Sequence, residues 1–162
     1  FMILGVVSDT HNRVDNVEKI IDIFNKEKVD YIIHTGDITQ AGTLKRFSRL
    51  EGSLIGVYGN NDLKELGLQE TCEKFGFNFQ RPPFITVIQN IRIAIFHEPD
   101  EIEKLINKDH RIELILHGHT HRYRNEEIDG IKIFNPGECA GMLEGNNAVG
   151  LVDLKNMKIQ MK

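Results

Sequence analysis

The sequence predicts an α/β fold in which two β-sheets pack face to face with helices outside. Three observations predict it. In the first half of the chain, short apolar runs alternate with segments of helical spacing, as in parallel strands buried on both faces. In the second half, apolar runs come in pairs around tight-turn residues, as in hairpins. The sum is about ten strands and four helices, more strands than one open sheet usually holds.

The elements follow in order. "ILGVVS" (Ile3 to Ser8) reads as a buried strand. Val14, Val17, Ile21 and Phe24 then recur at helical spacing, and the pattern stops near Lys28. "DYIIH" is a second strand, Leu44 to Leu50 a short helix, "SLIGVY" a third strand and Lys64 to Phe75 a further helix. "FITVIQNIRIAIFH" reads as two β runs around Gln89-Asn90. Asp100 to Lys108 is a helix and "LILH" a strand. "RNEEIDGIKIFN" turns at Asp129-Gly130, and "AVGLVDLKNMKIQMK" forms a last hairpin turning near Lys155-Asn156. No repeat or linker interrupts the 162 residues, so one domain over 2–162 is expected, with Phe1 foreign to a natural start at Met2.

The composition, 40% hydrophobic and 27% charged, is that of a globular protein. The net charge of −4 and the absence of a Lys/Arg block argue against an extended nucleic-acid surface, so any affinity for phosphate should come from a local site. No apolar run approaches a membrane span, and "MILGVV" is too short for a signal-peptide core. The two cysteines, Cys72 and Cys139, form no CxxC pattern or disulfide framework, so a cytoplasmic location is expected. The reading leaves a homo-oligomer open.

The strands end in polar residues of one chemical kind. Asp9-Thr10-His11 follows the first, Thr35-Gly36-Asp37 the second and Gly59-Asn60-Asn61-Asp62 the third. "IRIAIF" ends in His97, and "LIL" ends in His117-Gly118-His119-Thr120-His121. Ligands of α/β sheets bind beyond the carboxyl ends of strands, so these ends are expected to meet. Imidazole with carboxylate, and no thiolate, suits first-row transition ions such as Mn, Fe, Co, Ni or Zn. Alternation along an extended segment would point His119 and His121 to one side and Thr120 and Gly118 away, with Asp9 and His11 related in the same way. Asp9, His11, Asp37, Asn60, His97, His119 and His121 are too many ligands for one tetrahedral ion. If one Asp bridges, they give two metals four bonds each. Two divalent cations outweigh the two carboxylates, and with one hydroxide the site keeps about one positive charge, suited to a phosphoryl group.

"SDTH", "HTGD", "GNND", "FHE" and "HGHTH", in this order, resemble the five blocks of the calcineurin-like metallophosphoesterases, most of all the small prokaryotic YfcE-like phosphodiesterase branch. The resemblance runs from Ile3 to about Leu154 and includes "NPGE" at Asn135 to Glu138. It implies a four-layer αββα sandwich. It also implies that Asp9, His11, Asp37 and His121 hold one metal and Asp37, Asn60, His97 and His119 the other, with Asp37 as the bridge. The implied activity is hydrolysis of a small phosphodiester by a metal-bridging hydroxide. The alternatives are a phosphomonoesterase, or a non-catalytic protein-binding scaffold like the retromer subunit of this fold, which lacks part of the histidine set.

Several residues have plainer readings. Asp9 alone could cap a helix, and Asn60-Asn61-Asp62 alone could be a turn. His34 and His117 are expected to hold neighbouring groups rather than metal, with His117 also a candidate proton donor. Asp62 is expected to bond a neighbour and to hold any charged group at position 61. His110 reads as a solvated loop residue, Cys139 as a small buried one, and Asn135-Pro136-Gly137 as a tight turn near the site.

The family resemblance is broken at two places: many members have His at Asn61 and Gly at Glu98. The His is the implied proton donor to the leaving group, and Asn has no transferable proton at neutral pH. General acid catalysis contributes about 10²–10⁴-fold where the leaving group is a poor one. Asn61→His should therefore raise hydrolysis of alkyl diesters more than that of nitrophenyl diesters. Rates over a series of diesters of graded leaving-group pKa measure this, and two coincident slopes would exclude it.

Overall fold

The computed structural model describes residues 2–11, 13–38, 40–59, 62, 65, 67–137 and 149–162. Asn60, Asn61 and Cys139 lie outside the described residues.

The first half alternates strand and helix as its sequence requires. Strand β1 (Ile3–Val7) leads to α1 (Val14–Lys26), β2 (Tyr31–His34), α2 (Ala41–Arg46), β3 (Ser53–Val57), α3 (Leu68–Phe75) and β4 (Asn78–Gln80). A hairpin, β5 (Phe84–Ile88) and β6 (Ile91–Ile95), follows, then α4 (Ile102–Lys108), β7 (Leu114–Leu116), the hairpin β8 (Arg124–Ile128) and β9 (Ile131–Asn135), and the hairpin β10 (Gly150–Asp153) and β11 (Lys158–Met161). Gln89 and Asn90 are both left-handed (φ 52° and 65°), as are Asp129 and Gly130 (φ 51° and 81°), which is the backbone that tight hairpins require.

The strands form two mixed sheets. The six-stranded sheet has the order β11-β10-β1-β2-β3-β4, with β1 to β4 parallel; the five-stranded sheet has the order β5-β6-β7-β9-β8, with β6, β7 and β9 parallel. Period-two alternation decides which face each residue covers. Leu4, Val6, Ile33 and Val57 of one sheet meet Ile93, Ile95, Leu114, Leu116 and Phe134 of the other in an apolar layer between them. On the far side of the six-stranded sheet, Val7, Ile32 and Leu54 pack with Val17, Ile21 and Phe24 of α1 and Leu44 of α2. On the far side of the five-stranded sheet, Ala94, Ile115 and Ile133 pack with Ile102 and Ile106 of α4. The layers are therefore αββα, as the sequence predicts.

Two helices and one strand differ most from the expectation. The second helix begins at Ala41 and tightens to a 3₁₀ turn over Phe47–Arg49 instead of running from Leu44 to Leu50. The third begins at Leu68 rather than Lys64, because Gly67 before it is left-handed (φ 88°). Strand β4 was not foreseen: its three residues, Asn-Phe-Gln, offer one apolar side chain and no visible alternation, and pairing along β3 makes it a strand.

The apolar layer between the sheets should dominate stability. Leu116→Ala should cost about 2–5 kcal/mol, whereas Val87→Ala, at a side chain 55% exposed, should stay within about 0.5 kcal/mol. Urea denaturation of the two variants makes the comparison, and equal costs would contradict the layering.

Candidate metal centre

The parallel strands β1 and β2 lie side by side, with Val7 opposite His34, so the loops that follow them leave the sheet together. Two backbone hydrogen bonds brace those loops: Asp9 N–H donates to the Gly36 carbonyl (3.1 Å) and His11 N–H to the Asp37 carbonyl (2.7 Å). From the other sheet, β6 delivers His97 and β7 delivers the segment from His117 to His121. Asp9, His11, Asp37, His97, His119 and His121 converge at this junction, in two groups of three. Asp9, His11 and His121 form one, and Asp37, His97 and His119 the other.

Asp37 Oδ2 lies between the groups, 3.3 Å from His97 Nε2 and 3.9 Å from His11 Nε2. His121 Nε2 is 3.8 Å from Asp9 Oδ1, and His119 Nδ1 is 3.3 Å from His97 Nε2. Donor atoms around a tetrahedral ion with bonds of about 2.1 Å stand about 3.4 Å apart. The observed spacings suit such an ion.

Burial and charge point the same way. Asp9, Asp37 and Asp62 are all buried, whereas no Lys or Arg is buried among the described residues. Three buried side-chain polar atoms have no hydrogen-bond partner among the described residues, and two of them, Asp9 Oδ1 and His11 Nε2, belong to the first group. An unpaired buried carboxylate oxygen is costly unless a cation meets it. Burial pushes the Asp9 carboxyl above its usual range, against the Ser8 hydroxyl bonded to it. Burial works to lower the His97 pKa, but the hydrogen bond and charge of Asp37, the Thr35 carbonyl and Asp9 outweigh it and raise that pKa. The donor set therefore fits divalent cations.

Neighbouring groups orient several of these candidate ligands. Ser8 Oγ (2.7 Å) and His119 N–H (3.1 Å) both donate to Asp9 Oδ2, which leaves Oδ1 turned toward His121. His97 Nδ1 lies 2.8 Å from the Thr35 carbonyl and must donate there, so its Nε2 lone pair faces Asp37 and His119. Asp62 Oδ2 accepts from the backbone N–H of Asp37 and of Gly59, both at 2.8 Å. A carboxyl group there ties the loop after β3 to the loop after β2.

His34 and His117 are buried outside the two groups. Gly36 N–H donates to His34 Nδ1 (3.0 Å), so the ring proton sits on Nε2 and is shared with Thr10 Oγ1 (3.0 Å). His117 Nδ1 donates to the Gly118 carbonyl (3.0 Å), and its Nε2 accepts from the Arg124 guanidinium (3.3 Å). Burial lowers the pKa of His34 to about 3 and of His117 to about 4. Asn135 Nδ2 also donates to the Gly118 carbonyl and to Thr120 Oγ1. His110 is exposed.

Two expectations need correction. The His-x-His and Asp-x-His segments are not extended. Asp9, His11, Asp37, His119 and His121 have φ of 52°, 45°, 62°, 70° and 59°. They are half of the ten non-glycine residues with positive φ among the described ones. Alternation thus does not aim their side chains, and His119 and His121 serve different groups. Sequence reasoning also missed Ser8 and Arg124. Ser8 was readable as a hydroxyl beside Asp9 at a strand end, whereas nothing local marks Arg124.

Residues 2–157 match the calcineurin-like phosphoesterase superfamily domain. The chain belongs to that superfamily. It is accordingly a metal-dependent phosphoric ester hydrolase. It is 34% identical over 154 residues to a phosphodiesterase of Methanocaldococcus jannaschii, covering 94% of this chain and 93% of the relative. A solved archaeal phosphodiesterase, 30% identical, superposes with a TM-score of 0.91 over 99% of both chains. The Escherichia coli phosphoesterase YfcE, 18% identical, shares the fold, with a TM-score of 0.69 over 99% of this chain and 98% of its own.

The neutral imidazoles of His34 and His117 set a pH dependence for metal-free protein. Their folded pKa values lie below the unfolded 6.5, so the unfolded chain takes up protons first. Their contribution is complete above pH 6.5 and is lost as pH falls toward 4 and 3. At pH 5 each should cost about 2 kcal/mol. Denaturation of the wild type and His117→Asn in EDTA across this range checks it. The variant's slope should be shallower by about one proton, and an unchanged slope would mean that His117 is charged in the fold.

Proposed function

We propose that this chain is a phosphodiesterase acting on a small diester with two divalent transition cations, Mn, Fe, Co, Ni or Zn by the chemistry of its donors. Asp9, His11 and His121 hold one cation, and His97, His119 and Asn60 the other, with Asp37 shared. The observation that carries the reading is Asp37 Oδ2, set between two groups of ligand atoms. The diester rather than monoester preference is supported by the phosphodiesterases similar to this chain over nearly its whole length. The acidic net charge supports a small substrate over a nucleic acid. The absence of a disulfide framework supports a cytoplasmic location, and residues 2–162 act as one domain.

When bound, two such cations polarise phosphoryl oxygens and lower the pKa of a water to make it the nucleophile. The protein's own groups position. Ser8 Oγ is engaged with Asp9 and Cys72 is buried, so among the described residues neither is available as a nucleophile. Thr35 fixes the tautomer of His97. His117, with Asn135, holds the Gly118 carbonyl next to the candidate ligand His119. Asp62 holds the backbone of Asp37 and of Gly59. A donated hydrogen bond from Asn61 is the help this reading gives the leaving oxygen.

Asp37→Asn keeps the side chain's shape and removes the charge between the cations. Metal content should fall from about two ions per chain, and turnover of bis(p-nitrophenyl) phosphate should drop at least about 100-fold. EDTA should abolish activity, and Mn, Ni or Co should restore it. His110→Ala should change neither readout. Elemental analysis with a panel of diesters and monoesters decides, and full activity in metal-free protein would refute the reading.

A further inference from the structure

A cavity of about 200 Å³ opens beside the second group of ligands. His97 is one of its walls, with Tyr58, Gly59, Pro82, Pro83 and Phe96, and Glu98 and Glu101 complete the lining. No lysine or arginine lines it among the described residues. Glu98 is half-buried, and its carboxylate has no hydrogen bond or ion pair among the described residues. Glu101 is exposed, and its ion-pair partner is Lys104, exposed as well, at 3.9 Å. A partly desolvated carboxylate without a cation, in a cavity that a tyrosine and a phenylalanine also line, is the combination that receives an organic cation.

We infer that this cavity binds one ester substituent of the substrate, and that the substituent is a compact cationic alcohol, an amino alcohol or its quaternary ammonium form. The inference rests on the phosphodiesterase reading, since only a diester leaves a second substituent to be recognised. Size agrees. An apolar cavity of about 150 Å³ holds a benzene ring, so this one takes a group of roughly seven non-hydrogen atoms, far short of a nucleoside. Charge agrees as well. The phosphate monoanion of a diester faces the cations, and a positive substituent beside His97 faces Glu98 rather than the metals. Position agrees, because a wall that is also a candidate ligand brings the substituent within one phosphoester linkage of the reacting centre.

The test separates this inference from the reading beneath it. Choline is titrated into the metal-loaded protein and followed by NMR of the tyrosine rings, beside its neutral isostere with a quaternary carbon in place of nitrogen. Choline should bind about tenfold tighter than the isostere, with the Tyr58 resonances moving, and Glu98→Gln should remove the difference. Equal affinities, or a preference that survives Glu98→Gln, overturn the inference. Hydrolysis of methyl p-nitrophenyl phosphate, which has no cationic substituent, tests the phosphodiesterase reading alone. With that reaction present, the p-nitrophenyl ester of phosphocholine should exceed its carbon isostere about tenfold in kcat/KM.

Discussion

Two carboxylates, Asp9 and Asp37, are buried where the two sheets meet, and the arrangement around them is a response to their charge. A buried carboxylate is tolerated when every lone pair is met by a donor or a cation. Asp9 Oδ2 is met by Ser8 and by the backbone of His119, whereas Oδ1 is met by no hydrogen-bond donor among the described residues. Asp62 adds a third buried carboxyl, which accepts from the backbone N–H groups of Gly59 and Asp37. A site with this much buried acid and no buried lysine or arginine among the described residues calls for positive charge, which divalent cations fit. That requirement explains why imidazoles, which bind cations in the neutral form, fill the remaining positions.

The backbone meets the same requirement by another route. Left-handed φ at a non-glycine residue is disfavoured, by about 1–3 kcal/mol at strained sites, and persists where the surroundings impose it. Here five candidate ligands share it. The imposing structure is the parallel pair β1 and β2, whose register lets the loop after β1 donate to two carbonyls of the loop after β2. His34 bridges the same loops through Gly36 and Thr10, and neutrality suits it because protonated Nδ1 would turn a second N–H toward the one it accepts. Gly118 has its own constraint: a Cβ there would run into Ser8 Oγ and Thr35 Oγ1, so the histidine-rich segment approaches Asp9 as closely as it does only with glycine.

These features divide what the sequence tells from what it withholds. Apolar periodicity announced both sheets, all four helices and the hairpin turns, because burial on one or two faces leaves a pattern in the residues that do the burying. Polar residues at strand ends announced the convergence, because a parallel sheet sends its carboxyl ends to one edge. What stayed hidden depends on contacts distant in sequence. Strand β4 exists through its pairing with β3. The left-handed turns that send His119 and His121 to different groups follow from the loop's fit against Asp9 and Asn135, and the alternation rule assumes an extended chain that the loop does not form. Arg124 meets His117 because β8 turns back past the end of β7, and no local motif encodes that meeting.

The contributions of the two sheets are unequal, and that inequality ties the chemistry to the fold. The six-stranded sheet supplies Asp9, His11 and Asp37, hence both carboxylates. The five-stranded sheet supplies His97, His119 and His121, all imidazoles. Direct hydrogen bonds already cross the junction, from His97 to the Thr35 carbonyl and from the His119 backbone to Asp9. These bonds set the tautomer of one candidate ligand and the free oxygen of another, so both are oriented only when the sheets are docked. A cation held there draws donors from both sheets at once. Because it favours the docked state over any state with the sheets apart, its binding free energy adds to the apolar layer between them. Docking builds the site, and a metal held there would in turn secure the docking, since both carboxylates come from one side of the junction and three of the four imidazoles from the other.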